Sequence, residues 1–68
     1  MQSGDAAAAV GYYDEALLRN PFYMNAHFNR AVALARLGRI PEARDAYERA
    51  LRIDPAFAPA RENLERLP

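Results

Sequence analysis

Few side chains in this sequence are able to do chemistry. A single histidine, His27, stands without a cysteine or a second histidine, so it lacks the companions of a metal site, and neither a metal nor a cofactor is expected. The one serine, Ser3, lies near the terminus, and no glycine-rich loop follows a strand-like run, which leaves no nucleophile–base pair and no phosphate cradle. Asp14 and Glu15 are adjacent acids, but consecutive helical residues point about 100° apart and are unsuited to acting together on one bond. The chain reads as non-enzymatic, with His27 a packing residue.

Charge supplies no stronger signal. Nine arginines balance nine acids, so no overall field steers the chain onto nucleic acid or an anionic membrane. Arg36, Arg39, Arg44 and Arg52 form the weakest of the functional readings, an RNA-binding one. Tyr12, Tyr13, Phe22, Tyr23, Phe28, Tyr47 and Phe57, interleaved with arginine, resemble a base-stacking platform, yet core and inter-repeat packing explains them better without surplus positive charge. The only uninterrupted run of small apolar residues, Ala6 to Val10, is too short for a signal segment or a membrane span, and a cytoplasmic protein is expected.

The elements that must position any site are helices. At 68 residues the chain makes one small domain, and 51% hydrophobic with 26% charged residues is globular composition. Turn signals separate four segments: Asp5 to Asn20, Met24 to Leu37, Pro41 to Ile53 and Ala58 to Leu67. In the third, Ile40, Ala43, Ala46, Tyr47, Ala50, Leu51 and Ile53 recur at three- and four-residue steps, leaving the Asp45/Arg49 and Glu48/Arg52 pairs outside. Pro41 and Pro59 suit a first helical position and Gly38 suits a left-handed helix end. Only Val10, Val32, Ile40 and Ile53 are β-branched, and nothing alternates as a strand does, so the fold class is all-α.

Laid against itself at a shift of 34, the sequence pairs Gly4 with Gly38, Ala9 with Ala43, Tyr13 with Tyr47, Ala16 with Ala50, Leu17 with Leu51, Pro21 with Pro55, Ala26 with Ala60 and Asn29 with Asn63. Those eight identities compare with roughly three or four expected from composition, and glycine, proline, tyrosine and asparagine are among them. Asn20/Asp54 and Asp14/Glu48 are conservative matches.

This pattern resembles the tetratricopeptide repeat, a helix-turn-helix unit whose second helix carries a turn glycine, small alanines around an aromatic residue, and a closing proline. Gly38, Ala43, Tyr47, Ala50 and Pro55 match that half fully, whereas in the first helix only Ala31 and Leu34 fit well, with His27 and Arg30 at the other packing positions. The resemblance implies an antiparallel helical solenoid fragment. Residues 1–68 are one domain, in which 5–20 form the second helix of a first repeat, 24–57 a full repeat and 58–67 a capping helix.

It also implies a function. First helices of such arrays line a concave groove for peptides, which assigns Asn25, Phe28, Asn29, Val32 and Arg36 to the groove, with Pro59, Glu62, Asn63 and Arg66 from the last helix. The leading expectation is a protein-interaction module whose partner is a protein or peptide. The two-carboxylate clamp that some members use on chaperone tails is not expected, because Asn29 matches it but Pro59 and Asn63 replace its lysine and arginine. The second expectation is self-assembly. The first helix lacks its preceding partner, so Ala8, Tyr12, Tyr13, Ala16 and Leu17 are expected to form a homo-oligomer contact, with helix exchange as a variant.

Overall fold

Alanine, leucine and arginine favour helix while glycine and proline interrupt it, and the chain turns at Pro21, Gly38 and Pro55. In the computed structural model, which describes residues 5–68, four helices follow in order: α1 (Ala6–Arg19), α2 (Met24–Arg36), α3 (Ile40–Ile53) and α4 (Ala58–Arg66). Gly4, the sequence counterpart of Gly38, lies outside the described residues, as does Ser3. Successive helices are antiparallel neighbours, α1 on α2, α2 on α3 and α3 on α4. The smallest dimension of the molecule, 20 Å, is about two helix diameters, so the helices lie in two layers.

The turn between α2 and α3 is closed by glycine. Gly38 has φ +77°, its N–H donates to the Ala35 carbonyl at 3.0 Å, and the Arg39 N–H reaches back to the Leu34 carbonyl at 2.9 Å. These two bonds are the Schellman closure, which needs a left-handed residue that only glycine supplies without strain. The helix expected from Pro41 begins one residue sooner, at Ile40, while the last begins at Ala58 as its segment did, which makes Pro41 and Pro59 second rather than first helical residues. The shift costs nothing, because none of the first four helical N–H groups has an intrahelical acceptor.

The other two turns repeat each other in backbone detail. Asn20 has φ −144° and ψ 90°, and Asp54 has φ −137° and ψ 90°; Tyr23 and Phe57, which precede α2 and α4, match as closely, at −78°, 96° and −74°, 92°. In each turn the Asn or Asp side chain accepts from the N–H two residues on, Phe22 or Ala56, at 3.2 Å. The short polar side chain thereby imitates a backbone turn at both places.

The core is built mainly of alanine. Ala31, Ala43, Ala46, Ala50 and Ala60 are fully buried around Leu34 and Tyr47, with Ala6, Val10 and Ala33 closing the α1 side. Small side chains on facing helices let the backbones approach, and Leu34 and Tyr47 fill the space that remains. Leu64 and Leu67 pack half-buried against this core at the end of the chain. Tyr12, Phe22 and Tyr23 depart from their expected packing role and are exposed. None of the described helices covers the outer side of α1, and the α1–α2 turn closes through Asn20 and the backbone, without the aromatic rings.

Candidate functional site

On α2, residues three and four apart share a face, so Asn25, Asn29, Val32 and Arg36 form one stripe. With Tyr13 and Ala9 of α1, the residues Asn29, Val32, Ala33 and Arg36 line an open hollow of about 190 Å³. Val32 is half-buried at its floor, while Asn29 and Arg36 are exposed beside it. Arg36 stands outside the three ion pairs found among the described residues, so its guanidinium is available. The hollow thus offers an apolar seat with an amide and a guanidinium at hand, the mixture that holds an extended segment and one of its side chains.

The remaining groove residues are distributed differently. Asn25 is exposed on the same stripe but does not line this hollow. Phe28 turns toward the α2–α3–α4 core, its ring 5.9 Å from Tyr47 and edge-on to Phe57 at 5.1 Å. Glu62 and Arg66 are exposed and Asn63 is half-buried on α4, away from the Asn29 hollow. Ala33 and the α1 residues Ala9 and Tyr13 are the lining that sequence reasoning did not assign to the groove. Ala9 and Tyr13 match Ala43 and Tyr47 in the repeat, so the signal they carry is one for packing.

His27 lies on the opposite side of α2, roughly 160° around from Asn29. Its Nε2 donates to the Pro21 carbonyl at 2.8 Å, and Arg61, its counterpart 34 residues on, donates through Nη2 to the Pro55 carbonyl at 2.6 Å. Two unlike side chains thus tie each odd turn to the helix that follows it. Since a carbonyl only accepts, Nε2 bears a proton, and the buried Nδ1 has no hydrogen-bond partner among the described residues.

Around His27 a larger hollow of about 310 Å³ holds Asp14, Arg30, Asp45 and Arg49. Its charges are paired: Arg30 Nε meets Asp14 at 2.6 Å across α1 and α2, and Arg49 Nε meets Asp45 at 2.9 Å within α3. That cross-helix pair accounts for an arginine at a packing position, because the half-buried Arg30 finds its carboxylate on α1. The Glu48/Arg52 pair expected on α3 does not form within 4.0 Å. Among the described residues no three His, Asp or Glu side chains gather in a metal-holding group. None of their helices is long and apolar enough to cross a membrane.

The arginines of the RNA reading have different surroundings. Arg36 lines the Asn29 hollow, Arg44 donates to the Pro68 carbonyl at 3.3 Å, Arg52 lies near the end of α3, and Arg39 is held by Glu42 through two bonds of 2.7 Å.

The profile of the tetratricopeptide repeat matches residues 1–56 of the sequence. The chain belongs to the tetratricopeptide repeat family. The repeating turn dihedrals and the glycine closure are the structural side of that membership. The chain is 45% identical over 51 residues to an uncharacterized protein of Methanocaldococcus jannaschii, covering 75% of this chain and 59% of that protein. It is 41% identical over 49 residues to Hsp70-Hsp90 organizing protein 3 of Arabidopsis thaliana, covering 72% of this chain and 9% of the relative. It is also 34% identical over 67 residues to a tetratricopeptide repeat and J domain-containing co-chaperone of Fusarium oxysporum f. sp. lycopersici, covering 98% of this chain and 13% of the relative. This tetratricopeptide chain therefore spans less than two thirds of each of these relatives. No solved structure matches it.

The Arg39–Glu42 fork in the first turn of α3 has a titration consequence. The hydrogen bond from Arg39, together with its charge, holds the Glu42 carboxyl below the ordinary glutamate value, and Glu42 in turn raises Arg39. A carboxyl depressed by folding adds stability above its unfolded pKa and loses it as pH falls through the folded one. A carbon-detected NMR titration is expected to place the Glu42 midpoint below the ordinary glutamate range, and Arg39→Ala is expected to raise it. A midpoint that Arg39→Ala leaves in place would contradict the pairing.

Proposed function

We propose that the chain is a protein-interaction module that seats an extended peptide on the Asn29–Val32–Arg36 face of α2. The observation that carries this reading is the hollow in which those three residues meet Tyr13 and Ala9. Family membership supports a protein partner, and the names of two relatives, an Hsp70-Hsp90 organizing protein and a co-chaperone, point the same way. In this reading Arg36 takes a carboxylate of the peptide, Asn29 bonds its backbone, and Val32 with Tyr13 holds an apolar side chain. Asn25 extends the face at one end, and Glu62, Asn63 and Arg66 of α4 serve a longer peptide, with Phe28 supporting α2 from beneath. Residues 24–57 act as the complete repeat, 5–20 as the second helix of the repeat before it and 58–67 as the cap. A two-carboxylate clamp is not part of the proposal, because Pro59 and Asn63 occupy its basic positions.

Peptides selected on the chain from a display library test this by calorimetry. Asn29→Ala with Arg36→Glu is expected to weaken the selected peptides by roughly tenfold or more while the melting temperature holds. Selected peptides that bind the double variant undiminished would refute the assignment.

A second reading, homo-oligomerisation through α1, is favoured by a comparison within the chain. At three equivalent positions α3 carries Glu42, Asp45 and Arg52 where α1 carries Ala8, Gly11 and Leu18, and fully buried Ala46 is matched by Tyr12. Tyr12 is 72% exposed and Leu18 83% exposed, and a Cβ on Gly11 would meet nothing within 4 Å. The outer face of α1 has thus lost the charges that keep the corresponding face of α3 in solvent, and large exposed apolar side chains of this kind mark association surfaces. Of the expected contact residues, Ala8 and Tyr12 lie on that face, Leu18 joins them, and Tyr13, Ala16 and Leu17 are half-buried. Light scattering coupled to size exclusion is expected to show a dimer or larger at high micromolar concentration and a monomer for Tyr12→Ala/Leu18→Arg. A monomeric parent chain under those conditions rules the reading out.

A further inference from the structure

The turn between α1 and α2 carries a side chain that the turn does not use. Its twin between α3 and α4 has the same dihedrals and the same Asn or Asp closure at 3.2 Å, yet holds Ala56 where the first turn holds Phe22. Phe22 is 76% exposed, so it serves neither the turn nor the core. Beside it Ile53, the counterpart of Arg19, is a second exposed apolar side chain, near the end of α3. Together with Pro21 and the edge of His27 they bound an open hollow of about 230 Å³ whose remaining walls are Arg49 and Arg52. No acidic residue lines it.

We propose that this hollow docks a partner peptide segment in which an aromatic or branched aliphatic side chain lies beside a carboxylate. The space is smaller than the roughly 300–1,000 Å³ of sites that enclose a small molecule, and suits one bulky side chain. Its charge selects the neighbour of that side chain. Arg52 is outside every ion pair found among the described residues, and Arg49 gives only its Nε to Asp45, which leaves its terminal amino groups for a second carboxylate. Guanidinium–carboxylate bonds at the rim of an apolar contact are stronger than neutral ones, and the apolar contact keeps water from them. The wall is fixed in advance, because the His27 ring is tied to the Pro21 carbonyl at 2.8 Å. This site is on the other side of α2 from Asn29 and Arg36, so it is independent of the groove. Two arginines on a chain of zero net charge favour an acidic peptide over a single-stranded nucleic acid that would stack on Phe22.

The probe is a short end-capped peptide with one phenylalanine flanked by glutamates on both sides, titrated into the labelled chain and followed by amide shifts. The expected result is saturable shifts at Phe22, Arg49, Arg52 and Ile53, with binding weakened roughly tenfold by Phe22→Ala and by Arg52→Glu. Phe22→Ala installs the residue that the second turn already tolerates, so its melting temperature is expected to match the parent. The Asn29→Ala/Arg36→Glu variant is expected to bind the probe as the parent does, and a lysine-flanked peptide not to bind. Shifts confined to the Asn29 face, no shifts at all, undiminished binding by Phe22→Ala, or tighter binding of an oligothymidine than of the peptide would each overturn the proposal.

Discussion

Close approach of α2 to α3 is the constraint on which the rest of the molecule depends. Ala31, Ala43, Ala46 and Ala50 have no exposed surface, so the spacing of the two backbones is set by side chains that end at Cβ. With Leu34 and Tyr47 occupying the gaps, that contact fixes the hairpin. The hairpin then holds Phe28 against Tyr47 and Phe57, which places α4, and presents the opposite flank of α2 to α1. With no cysteine in the sequence to form a disulfide, this alanine seam carries a share of stability that larger proteins spread over a deeper core.

Most of the fold was legible because each boundary had a local chemical cause. Gly38 had to close a helix, Pro55 had to end one, and the α3 stripe had to face inward, as all of it but Ile53 at its end does. The candidate site was legible only in part. Phe28 is at the edge of the α2 stripe, about 100° from Asn29, where the wheel does not distinguish groove from core. Its direction is decided by Tyr47 and Phe57, residues distant in sequence. Arg30 looked like a misfit at a packing position, and only the neighbouring helix reveals Asp14 as its partner. Spacing alone favoured Glu48/Arg52 and Asp45/Arg49 equally, whereas only the second pair forms.

The internal repeat is most informative where it breaks. Positions that agree between the two halves, such as Pro21 and Pro55, whose carbonyls each accept a side-chain bond, do the same structural work twice. Phe22 against Ala56 and Leu18 against Arg52 differ in an exposed setting that makes no structural demand, so their chemistry is free to serve partners. His27 and Arg61 show the converse, unlike residues that give the same bond to a proline carbonyl.

Urea denaturation of Ala43→Leu, with Ala56→Leu on the exposed turn as its control, tests the alanine seam most directly. The seam predicts that Ala43→Leu loses about 1–3 kcal/mol or fails to fold, since added methylenes have no room there, while the control stays within about 0.5 kcal/mol of the parent. An Ala43→Leu chain as stable as the parent would contradict it, for the helices would then not be held at the distance that alanine sets.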